Sequence, residues 1–314
     1  MGAKEYKSVD QLIEILSSKG MSFSQPTRAK RLLTENNYYC VTAYKNLFYK
    51  PGTRLYYDGV DFEHLYAVYS FDKQFKTVIL KHLLFIEQKI KTAISHQISQ
   101  KYGIKEKQYL KKANFDQTSE YLDANLKKIK KQLNTFGKKN TAVSHYKANH
   151  GFIPFWVLSK CLTMGVVRDL IYILKPEDLS IIINSVLEKR IEKKPARKAK
   201  VMIAFFADVR NMCAHDEMLL NYSHRRLIIS PLEEHNLIHC KKDKDGNLKQ
   251  GLNDLTALII SIKYFVNKTM YNEFIQNISS CINSCYKKIG SVVSKERFLE
   301  YIGLPFDYED LRKL

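Results

Sequence analysis

The chain of 314 residues is poor in the short signatures that mark familiar enzymes. It has no glycine-rich phosphate loop, no G-x-S-x-G elbow and no H-E-x-x-H pair, so most common enzyme classes have no foothold. Its six cysteines, Cys40, Cys161, Cys213, Cys240, Cys281 and Cys285, are scattered without a C-x-x-C pair or a periodic framework. That excludes a disulfide scaffold of the secreted kind, and a reducing, cytoplasmic setting is expected. The "HNLIHC" stretch offers His235, His239 and Cys240 but no fourth ligand at a usual spacing, so no metal and no cofactor is expected. Apolar runs are short. "GFIPFWVLSKCLTMGVV" and "LTALIISIKYFV" are interrupted by lysine before they could span a bilayer, and no signal peptide opens the chain, so no membrane association is expected. There is no internal repeat and no low-complexity tract.

What is abundant is positive charge and aromatic bulk. Fifty-one Lys plus Arg against 32 Asp plus Glu give a formal net charge of +19, concentrated in polar runs such as "KKIKKQ" and "EKKPARKAK". A polyanion is the expected partner, the alternative being that lysine merely solubilises the surface. With 45% apolar residues, 20 Tyr and 16 Phe, the chain has ample material for a sizeable core and reads as soluble and globular.

The pattern along the chain is helical. Ser8 and Gln11 form a capping box in "SVDQLIEILSSKG", Pro26 opens a second helix, and "NYYCVTAYKNLFY" reads as a third, ending before Pro51-Gly52. Residues 1–66 therefore form an N-terminal helical module, and 67–314 the main helical domain. From Phe71 to about Tyr102, Phe75, Ile79, Leu83, Ile86, Ile90, Ile94 and Ile98 recur at three and four residues, which predicts one long amphipathic helix. It carries Glu87 and Lys91 four apart, a spacing that usually marks a surface ion pair. A basic stretch over 118–140 reads as a solvated helix. "GFIPFWVLSKCLTMGVVRDLIYIL", with the only tryptophan, Trp156, reads as a buried helix broken or thinned at Gly165. The segment 228–251 changes character around Asp245-Gly246 and is read as an insertion forming one small β-hairpin or a long polar loop. The fold class is all-α.

The stretch "RNMCAHDEML" stands out within the helix expected over about 195–220. On a helical wheel Val201, Met202, Phe205, Phe206, Val209, Met212 and Cys213 fall on one side, which is core. The far side holds Ala204, Ala207, Asn211, Ala214 and His215, a face of small residues suited to close approach. Arg210 projects from its edge. An imidazole titrating near neutrality can move a proton, an arginine fork can hold a phosphate, and an asparagine can orient either; the trio suits metal-independent cleavage of RNA, which supplies its own 2′-OH nucleophile. One histidine cannot easily serve as both base and acid, so two copies in a symmetric dimer would complete the site. The plainer reading of the same residues is a capping histidine beside a surface arginine.

"VRNMCAHDEMLLN" resembles the R-N-x-x-A-H signature of the HEPN superfamily, whose members are helical and often metal-independent ribonucleases. The rest resembles its Abi-like branch, abortive-infection proteins of the AbiD and AbiF type. "SKGMSFSQPTRAKRLLTENNYYCVTAYKNLF" is similar to the family's N-terminal pattern, and "FIEQKIKTAISHQISQKYG" to the first long HEPN helix. "HYKANHGFIPFWVLSKCLTMGVVRDLIYIL" carries its H-Y and P-x-W elements, and "EYIGLPFDYEDL" its closing segment. The resemblance implies an HEPN-type helical bundle in which Arg210 and His215 are the catalytic pair and Asn211 the intervening polar residue. Glu87 matches a frequent acidic position, and Lys91 stands where arginine is usual, which removes the planar fork there. His145 and Tyr146 are candidate flanking or RNA-contacting residues. The segment 228–251 matches nothing in the family pattern.

The resemblance implies a toxin-like endoribonuclease of phage defence, a homodimer with a composite site, leaving 2′,3′-cyclic phosphate ends, with RNA as substrate and as a structured noncoding partner that restrains it. Two rivals are a non-catalytic binder of structured RNA using the same basic surface, and a protein-interaction scaffold whose charge is solvation. Cys213 lies two residues from His215 on a helix and points away, so a Cys-His nucleophile is not expected. Tyr38, Tyr39, Tyr44 and Phe48 could stack bases, but their helical spacing favours core.

Overall fold

The structure is a computed structural model that describes residues 5–136 and 141–313. Helix α1 (Val9–Ser17) starts at the capping box in which Ser8 and Gln11 exchange hydrogen bonds, as the sequence predicts. Helix α2 (Pro26–Glu35) has its proline in the first turn. The third expected helix is split into α3 (Tyr38–Thr42) and a 3₁₀ turn, Ala43–Phe48, which together bury Val41, Tyr44 and Phe48.

Helix α4 (Phe62–Tyr102) organises the molecule: 41 residues, roughly 60 Å at the usual rise per residue. Asp61 caps its start and Gly103, with φ of 91°, ends it. The helix begins at Phe62 rather than at the expected Phe71, because the apolar stripe continues N-terminally through Phe62, Leu65 and Val68, all fully buried. It therefore starts inside the 1–66 segment, and Leu33, Val41 and Phe48 share one buried cluster with the rest of the chain.

Short helices α5 (Glu106–Tyr109), α6 (Leu122–Phe136), α7 (Thr141–His150) and α8 (Phe155–Leu158) follow. Of the basic stretch 118–140, residues 137–140 lie outside the described residues. The single helix expected around Trp156 is interrupted at Thr163, not at Gly165. After α8 a 3₁₀ turn, Ser159–Cys161, precedes Thr163, whose hydroxyl accepts from the Val166 amide and opens α9 (Met164–Ile171). An N-cap hydroxyl that satisfies a first-turn amide is a stronger boundary than a glycine inside the helix. Trp156 is 42% exposed rather than buried.

Helices α10 (Pro176–Val186), α11 (Pro195–Ala214), α12 (Leu255–Lys263), α13 (Lys268–Ile289) and α14 (Lys295–Ile302) complete the order. Helix α4 runs through the centre, with α13 against it on one side and α10 and α11 on others. Phe206 of α11 meets Phe265 edge-on at a centroid distance of 5.2 Å. Burying each such ring contributes about 1.5–3 kcal/mol, and Phe206→Ala would cost about 3–5 kcal/mol with the cavity left behind.

The architecture is all-α. The β-hairpin allowed for in 228–251 shrinks to one antiparallel bridge, Lys242 to Leu248, with Gly246 in its turn at φ of 81°. Its flanks are mostly charged, and a lone two-stranded ribbon without an apolar face to pack is marginal. The segment is instead fixed by polar anchors. Glu234 is fully buried and accepts from Lys189 Nζ at 2.9 Å and from the Tyr264 hydroxyl at 2.7 Å. Among the described residues no helix is long and apolar enough to cross a membrane.

Candidate active site

Helix α11 ends the way its sequence dictates. Its N–H-to-carbonyl ladder stops at Ala214, and His215 becomes the cap, its amide bonded to the Asn211 carbonyl at 2.9 Å. Asp216 then takes the left-handed conformation, φ of 56°, and the Glu217 amide reaches back to the Met212 carbonyl at 3.1 Å. This closure usually uses glycine at the left-handed position; aspartate is among the few residues that tolerate it. "RNMCAH" is therefore the last turn of a helix, with the histidine at its very end.

The small-residue face, suited to close approach by another helix or a nucleic acid strand, is met by helices for much of its length. Ala204 and Ala207 are 2% and 0% exposed, because α11 packs on α4, α9, α10 and α12 and every residue from Met202 to Ala207 is buried. A wheel assumes one apolar side; alanines here let neighbouring helices approach closely instead. The final turn emerges, with Asn211, Ala214 and His215 exposed, as Arg197 is in the first. The His215 ring has no hydrogen-bond partner among the described residues, while Arg210 is half-buried and does not fold toward it.

Arg210 turns to α4. Its Nε donates to Glu87 Oε2 at 3.2 Å, and Lys91 Nζ donates to Glu87 Oε1 at 2.6 Å. Glu87 and Lys91 are 7% and 8% exposed, so this is not the surface pair that their spacing usually marks. One buried carboxylate thus serves two cations, and the trio carries a net positive charge. Only Nε of Arg210 is engaged, which fixes the guanidinium plane and leaves its two terminal nitrogens without a hydrogen-bond partner among the described residues. A guanidinium fork with free terminal nitrogens has the chemistry to donate two parallel hydrogen bonds to a phosphate or carboxylate.

A second anchor holds the far side of the turn. Lys76 Nζ of α4 donates to Asp216 Oδ1 at 2.6 Å and to the Glu217 carbonyl at 3.1 Å, and lies 3.2 Å from Asp72. Asp72 is fully buried and also accepts from the Tyr44 hydroxyl at 2.7 Å and the Leu219 amide at 3.3 Å. Burial works to lower the Lys76 ammonium, but its bonds to Asp216 and Asp72 outweigh that and raise it above the ordinary lysine value. Burial likewise works to raise the Asp216 carboxyl, and Lys76 and Lys73 hold it below the usual range. Both partners are charged at neutral pH. Sequence reading missed Asp72, Lys76 and Asp216. The available signal was a second acid-to-lysine pair, four apart, set among Phe71, Phe75 and Ile79.

His145 and Tyr146 lie on α7, which packs against α8. His145 is exposed, with Asn149 Nδ2 3.1 Å from its ring, and Tyr146 stacks obliquely on His150 at 4.7 Å. No contact joins them to Arg210 or His215 among the described residues. Burial pushes the Cys213 thiol up to about 12, which fits its inward placement. Tyr44 and Phe48 are core, 3% and 0% exposed, whereas Tyr39 is 66% exposed. His235 is held between Leu232 and the Gly251 carbonyl, and His239 pairs with Asp307. Among the described residues no group of three or more His, Cys, Asp or Glu is placed to hold a metal.

Residues 31–221 match the model of a protein family described as Abi-like protein. No curated protein and no solved structure matches the chain.

Proposed function

The chain belongs to the Abi-like protein family, and on that premise we propose that it is a metal-independent HEPN endoribonuclease acting in bacterial phage defence by abortive infection. The observation that carries the reading is the Arg210 fork, oriented through Nε by buried Glu87, with its free end in the same helical turn as an exposed, unpartnered His215.

In the proposed reaction the 2′-oxygen of RNA attacks the adjacent phosphorus while the bond to the 5′-oxygen breaks. Arg210 donates to the non-bridging oxygens as their charge grows. His215 takes the 2′ proton or returns one to the leaving oxygen, and the His215 of a second copy does the other, so the active form is a homodimer. Exposed Met218, three residues after His215, supplies apolar surface beside the site for that second copy. Asn211 orients the phosphate or the imidazole, Glu87 positions Arg210, and Lys91 neutralises Glu87. His145 and Tyr146 are proposed RNA contacts on α7. The excess positive charge suits RNA both as substrate and as a structured noncoding partner that restrains the enzyme.

The test incubates wild type and His215→Ala, freed of co-purifying RNA, with labelled structured and unstructured RNA in EDTA. Cleavage by wild type alone, with 2′,3′-cyclic phosphate and 5′-hydroxyl ends, is expected. Tight RNA binding without cleavage by either protein would leave a non-catalytic RNA-binding protein as the function.

A further inference from the structure

The chain between α10 and α11 makes an unusual turn. Lys193 and Lys194 are consecutive non-glycine residues with φ of 48° and 56°, both left-handed, a conformation that such residues seldom adopt. Ile191, 3% exposed, pins the turn from inside, and Pro195 starts the next helix. The turn forms one wall of a groove of about 370 Å³ between the start of α11 and the 228–251 segment, with Arg190, Lys193, Lys198 and Lys242 among its lining residues. A second groove shares Arg190 and Lys193.

The charge here is uncompensated. Arg190, Lys193, Lys194, Arg197 and Lys242 are exposed and Lys198 half-buried, and none of the six has an ion-pair partner among the described residues. Elsewhere many surface lysines are paired, as in Lys30 with Asp10, Lys81 with Glu273 and Lys112 with Asp123. Of the carboxylates lining this groove, Glu233 is already engaged by Lys189, which leaves Glu192. Like charges gathered without counter-charges repel one another, and a bound polyanion relieves that repulsion. Lys194 caps the start of α11 and His215 its end, so the 20-residue helix separates groove and candidate site by roughly 30 Å.

We propose that this groove is an RNA-anchoring surface separate from the reaction site, gripping the phosphate backbone at one end of α11 while the other end presents Arg210 and His215. The proposal rests on RNA being the partner of the site described above. Lysines and arginines that contact phosphate fix the position of a nucleic acid rather than read its sequence. The RNA that occupies it must span the length of α11 to reach His215.

The test measures affinity of the full chain for a labelled RNA hairpin across a salt series, in the His215→Ala background so that no cleavage intervenes. A groove triple, Lys193→Glu, Lys194→Glu and Lys198→Glu, is compared with Lys127→Glu, Lys130→Glu and Lys131→Glu on α6, which changes net charge equally. The groove triple should weaken binding at least about tenfold and flatten the log–log salt slope by about 2–3, since each lost phosphate contact removes somewhat under one unit. A second groove variant, Arg190→Glu with Lys242→Glu, lies outside α11 and should act in the same direction. Equal losses from the groove and α6 triples, or unchanged binding in both groove variants, overturn the anchor while leaving the RNA reading standing. A parent protein that binds anionic phospholipid vesicles as well as RNA overturns the choice of RNA, and one that binds no RNA overturns both.

Discussion

Lys76 Nζ lies 2.6 Å from Asp216 Oδ1, which ties the residue after His215 to the central helix α4. On the other side of the same turn Arg210 is tied to Glu87, also on α4. The exposed histidine is thus suspended between two ion-paired anchors on one rigid element, and the anchors differ in burial. The Lys76 and Asp72 side chains are 6% and 0% exposed, whereas Asp216 is 54% exposed. Burial raises the Asp72 carboxyl even beside Lys76, so Lys76→Met leaves that acid in the interior without its cation and should cost about 3–5 kcal/mol. Asp216→Asn removes only a solvent-screened pair and should cost no more than about 1 kcal/mol. Urea unfolding midpoints distinguish the two. If the anchor positions His215, Asp216→Asn should still lower kcat for RNA cleavage by about 10–100-fold through misplacement alone. A kcat equal to wild type would reduce the anchor to a stability device.

Glu87 and Arg210 should separate in the same manner. Glu87→Gln leaves Lys91, 8% exposed, without its counter-charge and should destabilise by about 3–5 kcal/mol while also releasing Arg210. Arg210→Ala leaves the Glu87–Lys91 pair intact and removes a side chain that is 28% exposed, so its stability cost should stay near about 1 kcal/mol. Cleavage should be lost in both. Thermal or urea unfolding beside a cleavage assay checks this; a large stability loss in Arg210→Ala would mean that its main work is structural.

These anchors mark where sequence reading stopped. The period of three and four along α4 identifies the buried stripe through Phe75, Ile79, Ile86 and Ile90, and the R-N-x-x-A-H stretch identifies the turn. Neither says that charged residues sit within that stripe. Glu87 and Lys91 read as a surface pair because the spacing is common on exposed helices, Asp72 and Lys76 share that spacing and went unread, and only the packing around α4 puts all four inside. The start of α4 was missed for a related reason: Tyr66, Tyr69 and Asp61 obscure a helix that tertiary burial of Phe62 and Leu65 selects. In α11 a wheel of one helix marks the alanines at 204 and 207 as a face for close approach but cannot tell whether a helix or a nucleic acid comes against it; packing gives it helices. The 228–251 segment was opaque because Glu234 and His235 are buried by long-range polar bonds, which leave no periodic trace.

Acid should weaken the fold through Asp178. This carboxylate is fully buried, and burial alone would raise it; hydrogen bonds from Lys101 at 2.7 Å, Tyr102 at 2.5 Å and Gln97 at 2.7 Å outweigh burial and hold it below the ordinary value. An acid lowered in the folded state binds fewer protons there than when unfolded, so stability rises with pH across the interval between the two values. The contribution is fully present above the unfolded value of about 3.9 and is lost as pH falls through the lower folded one. Urea midpoints for wild type should therefore drop across that acidic window, and Asp178→Asn, less stable at neutral pH, should show a flatter dependence. Parallel curves for the two proteins would contradict the assignment.

Cys213 gives a check on the chemistry itself. It stands two residues before His215, close enough in sequence to suggest a thiol nucleophile, yet burial pushes its thiol up to about 12 and it sits against the core. A thiol is nucleophilic as thiolate, and burial in apolar surroundings suppresses that form. Brief treatment of the native protein with iodoacetamide, followed by peptide mapping, should label exposed Cys40 well before Cys213, with Cys213 modified only as the protein unfolds. Cys213→Ala should then cleave RNA at a rate close to wild type, while His215→Ala does not. Rapid labelling of Cys213 together with loss of cleavage in Cys213→Ala would instead place a sulfur in the reaction, and the assignment of the 2′-OH as nucleophile would have to be given up.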